Sequence, residues 1–158
     1  MKDQSNHYFL VIVDRSEEMH KALRFAANRA RNVGGQIVLL SIITPNEFQH
    51  WLSVGEKMRE EAMQEAELLL ARACETAEQI SEGKVHCFTR EGNPQDEIIK
   101  FVREEQKIHL LVLAADAKNS SGPGPLVSAF ASKALLQLGI PITIVPGNLD
   151  DEAIDAIC

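Results

Sequence analysis

The sequence predicts an α/β protein in which five strands and four helices alternate, the strands forming a parallel sheet with helices on both faces. Three observations carry that expectation. Apolar, β-branched runs such as "YFLVIV" and "QIVLLSII" read as strands buried on both sides. Segments with apolar residues at helical spacing lie between them. Gly, Pro, Asn and Asp stand at the junctions, where such elements start and stop.

Residues 8–13 form the first strand, and Asp14 follows it. Ser16 is placed to cap the next helix, with Glu17 and Glu18 in its positive first turn. Met19, Ala22, Leu23, Ala26, Ala27, Ala30 and Val33 repeat at helical spacing as its buried face, and Gly34–Gly35 stops it. Residues 36–43 are the second strand, closed by Pro45. Residues 58–80 make a long amphipathic helix whose buried stripe runs through Met58, Ala62, Ala66, Leu69, Leu70, Ala73, Ala77 and Ile80. Residues 84–90, "KVHCFTR", alternate as an edge strand with one solvated side. Asn93 caps a third helix with Pro94 in its first turn. Residues 108–115 are the fourth strand. The fourth helix spans roughly Leu126 to Leu138, ended by Gly139, and "PITIVP" is the last strand. This gives one domain over residues 1–147, then an acidic tail over 148–158 with room for one short helix.

The chain has 158 residues, 45% of them hydrophobic and 25% charged, enough for one well-packed core. Its net charge of −7 provides no cationic field for DNA or RNA. The six-residue apolar run near the start is too short for a signal peptide or a membrane span, so a cytoplasmic protein is expected. Cys74, Cys87 and Cys158 have no metal or redox spacing, which suits reduced thiols; Cys158 sits among acids that disfavour its thiolate. The five histidines have no ligand-like spacing, and His86 and His109 lie in strands, where hydrogen bonding is the simpler role. Glu60, Glu61, Glu65 and Glu67 read as a solvated helix face. No phosphate-binding Gly-x4-Gly-Lys-Ser/Thr loop occurs, nor does Gly-x-Gly-x-x-Gly follow the first strand.

Three stretches together resemble the universal stress protein family. "FLVIVDRSEEMHKALRFAANRARNVGGQIVLLSIITP" is similar to its first third, "REGNPQDEIIKFVREEQKIHLLVLAA" to its Gly-x-Pro turn, third helix and fourth strand, and "SKALLQLGIPITIVP" to its closing helix and strand. The resemblance implies a Rossmann-like, adenine nucleotide alpha hydrolase-like sheet of order 3-2-1-4-5. Ligands of such sheets bind beyond the strand ends where the order reverses, here at Asp14 and the loop from Ala115 to Pro125.

In the ATP-binding branch of the family that loop carries Gly, two residues, Gly, nine residues, then Gly with Ser or Thr. Aligned through Pro141, those positions fall on Ala115, Lys118, Ser128 and Ala129. Glycines let a backbone approach phosphate with its N–H groups turned inward, whereas Pro123 and Pro125 have no N–H to offer. Losing a few charge-assisted hydrogen bonds at roughly 1.5–3 kcal/mol each carries a micromolar site to millimolar or beyond. No bound cofactor is therefore expected, ATP with magnesium being disfavoured.

Two readings of the loop stay open. Lys118, Ser120, Ser121 and Gly122, with the fourth helix's N-terminus near Leu126–Ser128, could hold another anion; or the loop is simply solvated. Asp14 divides similarly. The resemblance implies that it accepts from the adenine or ribose end of a nucleotide while Val13 and Ile42 pack on the base. Alternatively its carboxylate only braces the strand-to-helix turn beside Ser16. Arg15 could offset Asp14 or reach a phosphate.

The expectation is a stress-related binding or regulatory protein without efficient catalysis. Its alternatives are an ATP-binding, slowly hydrolysing member and a partner-binding scaffold using the Phe48–Val54 segment around Trp51. A homodimer through Ile142, Thr143, Ile144 and Val145 is also expected, from their uncharged edge position and from the resemblance.

Overall fold

A computed structural model describes residues 7–44, 52–118 and 121–158, the side chains from residue 57 onward in the second of these spans. The strands are β1 (Tyr8–Ile12), β2 (Gln36–Ile43), β3 (Val85–Glu91), β4 (Ile108–Ala115) and β5 (Ile142–Pro146). The helices are α1 (Met19–Val33), α2 (Leu52–Ser81), α3 (Pro94–Glu104), α4 (Pro125–Phe130), α5 (Ala134–Leu138) and α6 (Asp151–Ile157). All strand pairs are parallel, in the order β3-β2-β1-β4-β5. No described helix is long and apolar enough to cross a membrane.

The alternation of side chains along the central strands divides the core in two. Val11, Leu39 and Val112 face α1, α2 and α6, packing with Leu23, Ala26, Ala73, Ala77 and Ile154. Leu10, Leu40 and Leu111 face α3, α4 and α5, packing with Ile98, Phe101, Phe130 and Leu138. Strands flanked on both sides in this way need apolar residues at nearly every position, which is why "YFLVIV" and "QIVLLSII" lack a polar alternation.

Several local expectations are corrected. Helix α1 starts at Met19 with Glu18 as its N-cap and no side-chain cap bond. Ser16 does not cap it, because it stands two residues before the N-cap position, where its N–H and hydroxyl both donate to Asp14 Oδ1. Val33 and Met58 are exposed, at the ends of their stripes. The fourth predicted helix is two helices. Ser132 Oγ donates to the Ala129 carbonyl, an acceptor that a continuing helix needs for its own ladder, and tight bonds from Leu135 and Leu136 to Ser132 and Lys133 follow. The long helix also begins earlier than its periodicity indicates, at Leu52.

Asn93 caps α3 as its sequence indicates, its Oδ1 accepting from Asp96 N–H at 3.2 Å. The tail forms α6, capped by Asp150, whose Oδ1 accepts from Ala153 N–H at 2.8 Å. It packs on α1 through fully buried Ile154. Ser120 and the side chains of Phe48–Val54, Trp51 among them, lie outside the described residues.

Candidate functional site

The order of the sheet reverses between β1 and β4, so the two loops leaving their carboxyl ends diverge and open a crevice. Asp14 stands at the head of the first loop, exposed, with its Oδ1 accepting from Ser16 N–H at 2.9 Å. That bond fixes the turn into α1 and leaves Oδ2 as the carboxylate's outer acceptor. Arg15 turns away from Asp14 to pair with Glu65 on α2; with both side chains more than half exposed, this pair contributes little to stability.

The predicted site residues fall around two depressions. Val13, Asp14 and Ile42 border a cleft of about 310 Å³ between the end of β2 and α2, closed on the helix side by Ala62, Ala66 and Leu69. Lys118, Ser121, Gly122 and Ser128 line a larger one of about 930 Å³ beside the β4–α4 loop. Asp14 also borders a third depression, of about 290 Å³, that runs under Pro123–Val127. Ala115 and Ala129 line none of these. The Ala115 carbonyl accepts from Gly147 N–H at 2.9 Å, and that of Ala129 is taken by Ser132.

Two amides of the β4–α4 loop bond within the loop itself. Asp116 N–H donates to the Pro123 carbonyl at 3.0 Å, and Lys118 N–H to Asp116 Oδ1 at 2.8 Å. Ser128 N–H donates within the helix to the Gly124 carbonyl at 3.0 Å. Pro125 occupies the first turn of α4 without an N–H. Of the family-pattern positions, Lys118 and Ser128 thus have their amide hydrogens engaged.

The charges around the larger cleft are mainly negative, from Glu17, Glu18, Asp116 and Asp150 against Lys21 and Lys118. Lys118 reaches across the mouth to Glu17, and Lys21 pairs with Asp151 at 3.5 Å. The Glu17 carboxylate that hydrogen-bonds it, and beyond that Asp116, hold the Lys118 ammonium above the usual lysine range.

Sequence reasoning missed five charged participants: Glu17, Glu18, Lys21, Asp116 and Asp150. Two were visible in principle. Asp116, two residues before Lys118, is the spacing of a side-chain-to-backbone turn. Glu17 follows the turn after strand one, on the same sheet end as the loop. Asp150 was not legible as a site residue, because only the return of the chain from β5 lays the tail along the cleft.

Among the histidines, His86 Nε2 bonds Gln36 Oε1 at 2.7 Å, and His109 Nδ1 accepts from Tyr8 N–H at 3.4 Å where β1 and β4 slip register. No group of three or more potential ligands for a metal ion occurs among the described residues.

Comparison with known proteins now bears on this geometry. The sequence profile of the universal stress protein family matches residues 6–146. No curated protein sequence matches the chain. Among solved structures, the universal stress protein UspA from Lactobacillus plantarum is similar, with a TM-score of 0.73 at 17% identity over 88% of this chain and 97% of that one. The universal stress protein from Archaeoglobus fulgidus in complex with dAMP gives a TM-score of 0.60 at 20% identity, over 89% and 97%. A family protein from Arabidopsis thaliana with AMP bound gives 0.61 at 14% identity, over 92% and 94%. These likenesses show the same fold, and the profile covers nearly all of the chain up to the end of β5. The chain belongs to the universal stress protein family.

Proposed function

We propose that this chain is a cytoplasmic, homodimeric binding or regulatory protein of the stress response that does not hold ATP in the standard way of its family. The observation that carries this reading is the self-bonded β4–α4 loop. A triphosphate needs several inward N–H groups and an excess of positive charge. Here the amides of Asp116, Lys118 and Ser128 already have acceptors, and Lys118 and Lys21 already have carboxylates. To bind, a polyphosphate would have to break these bonds and accept four nearby acidic side chains. Any residual site at Lys118, Ser121 and Gly122 is one for a smaller or less charged group.

A second reading keeps a nucleotide, because the cleft at Val13, Asp14 and Ile42 is open and two similar proteins were solved with dAMP and AMP. In that reading the base enters beside Ile42, Asp14 accepts from the nucleoside, and few phosphates follow.

Calorimetric titration with ATP and magnesium, and separately with AMP, tests both. The expected outcome is no binding of ATP tighter than millimolar. Micromolar affinity, or nucleotide retained through purification, overturns the first reading; tight AMP binding alone supports the second. A chain carrying Ala115→Gly, Lys118→Gly, Ser128→Gly and Ala129→Ser should bind ATP more tightly, by about tenfold for each 1.4 kcal/mol of hydrogen bonding restored.

A further inference from the structure

Cys74 and Cys87 are far apart in sequence and match no recognised spacing, yet the fold brings them together. Cys87 lies opposite Leu39 in the β2–β3 register, and Leu39 belongs to the core layer under α1 and α2. Parallel partners point to the same face, so Cys87 points toward α2. Cys74, on α2, packs half-buried against the same core layer. Cys87 and Cys74 thus share the seam between β3 and α2, close enough for the two thiols to influence each other, and Cys74 Sγ donates to Glu78 Oε1 at 3.7 Å. Burial first, then Cys74 and Glu78, pushes the Cys87 thiol up to about 12, so it keeps its proton at neutral pH. Cys87 is exposed as a residue on the edge strand, which gives small molecules access to the pair. Cys158 has no such partner: its thiol donates to the Phe25 carbonyl at 3.7 Å.

We propose that Cys74 and Cys87 form a redox-active dithiol that a small-molecule disulfide of the glutathione class converts to an intrachain disulfide. Cys74 gives up its proton toward the Glu78 carboxylate, and from there to water, and its sulfur attacks one sulfur of the oxidant. The oxidant's S–S bond breaks, one glutathione thiolate leaves, and a mixed disulfide remains on Cys74. Cys87 then loses its proton and attacks Cys74 Sγ. The mixed bond breaks and the second glutathione leaves; each leaving thiolate takes up one proton. Two protein thiols are oxidised and one small disulfide is reduced to two thiols. The new bond ties α2 to β3, and α2 carries Ala62, Glu65 and Leu69, which wall the cleft at Asp14.

The test equilibrates the full chain with excess oxidised glutathione, alkylates the remaining thiols, and maps the peptides by mass. Expected is a single peptide pair joining Cys74 to Cys87, about 2 Da lighter than the sum of the two unalkylated peptides, with the alkyl group on Cys158 alone. The Cys158→Ser chain should behave identically. Cys74→Ser and Cys87→Ser should lack the link, and the chain keeping Cys74 should instead carry a glutathione adduct that a dithiol reductant removes. Cys74 and Cys87 both alkylated in the folded wild-type chain, or links only to Cys158 or between chains, overturn the proposal. The wild-type map decides this even where a serine variant fails to fold.

Discussion

Gly147 shows how closely the candidate site is tied to the sheet. It follows β5, and its N–H donates to the Ala115 carbonyl at the end of β4. A Cβ there would stand 2.2 Å from that oxygen and 3.1 Å from the Glu18 Cβ. The obstacle is backbone on one side and the base of a side chain on the other, so neither can swing aside. Gly147→Ala should therefore push the tail away from the β4–α4 loop and destabilise the fold by about 1–3 kcal/mol. For a chain of this size that is a fall in melting temperature of roughly 2–12 °C, measurable by thermal denaturation followed by circular dichroism. An unchanged melting temperature would mean that the tail adjusts without disturbing the loop.

At the scale of elements, α6 is held on α1 by one buried anchor and a ring of polar contacts. Ile154 is fully buried, while Arg24 makes a two-pronged contact with Asp155 at 2.8 and 2.7 Å and Asn28 adds a third bond at 2.8 Å. The Arg24 hydrogen bonds first, then that from Asn28, hold the Asp155 carboxyl below the usual carboxylate range. A carboxyl depressed in the folded state contributes stability above its unfolded pKa of about 3.9, and that contribution disappears as pH falls through the folded value. The protection of the α6 amides against hydrogen exchange, corrected for the intrinsic pH dependence, should therefore fall below about pH 4 relative to that of the core strands. Asp155→Asn should show the reduced protection already at neutral pH and lose most of the acid dependence. Because the Arg24–Asp155 pair is partly open to solvent, the effect is confined to α6 and leaves the global melt nearly unchanged.

The same scale explains what the sequence could and could not convey. The central strands follow from runs such as "YFLVIV", because double-sided burial leaves a continuous apolar signature, while their order is implied only by the family resemblance. The broken fourth helix was not legible, since its pattern from Leu126 to Leu138 is continuous and the break depends on the choice Ser132 makes between solvent and the Ala129 carbonyl. The absence of family glycines in the loop could be read directly. That the loop bonds its own amides could not, because it requires Asp116 and Pro123 to meet across a turn. The Cys74–Cys87 approach was hidden for the same reason: it is set by the register of β3 on β2 and by how α2 lies over both.

On the scale of the whole molecule, the two edges of the sheet are finished differently. The β3 edge carries His86, Arg90 and Glu91, and Arg59–Glu91 and Arg90–Glu104 pairs flank it. Such charges blunt an edge against pairing with another chain. At the other edge, β5 pairs with β4 on one side, and no charged residue occurs between Gly139 and Leu149. Ile144 is 44% exposed there while its neighbour Val145 is buried. Pro141 and Pro146 limit the length of the strand and leave its centre, Thr143 and Ile144, able to pair. Antiparallel contact of β5 with a second copy would satisfy its outer N–H and C=O groups and cover Ile144 under a twofold axis. The wild-type chain should therefore sediment as a dimer at micromolar concentration, and Thr143→Lys or Ile144→Lys as a monomer. Each lysine adds a charge that would face its own symmetry mate, so the penalty falls on the dimer and leaves the monomer's core untouched. A monomeric wild type, or a dimer unaffected by either lysine, would place the contact elsewhere on the molecule.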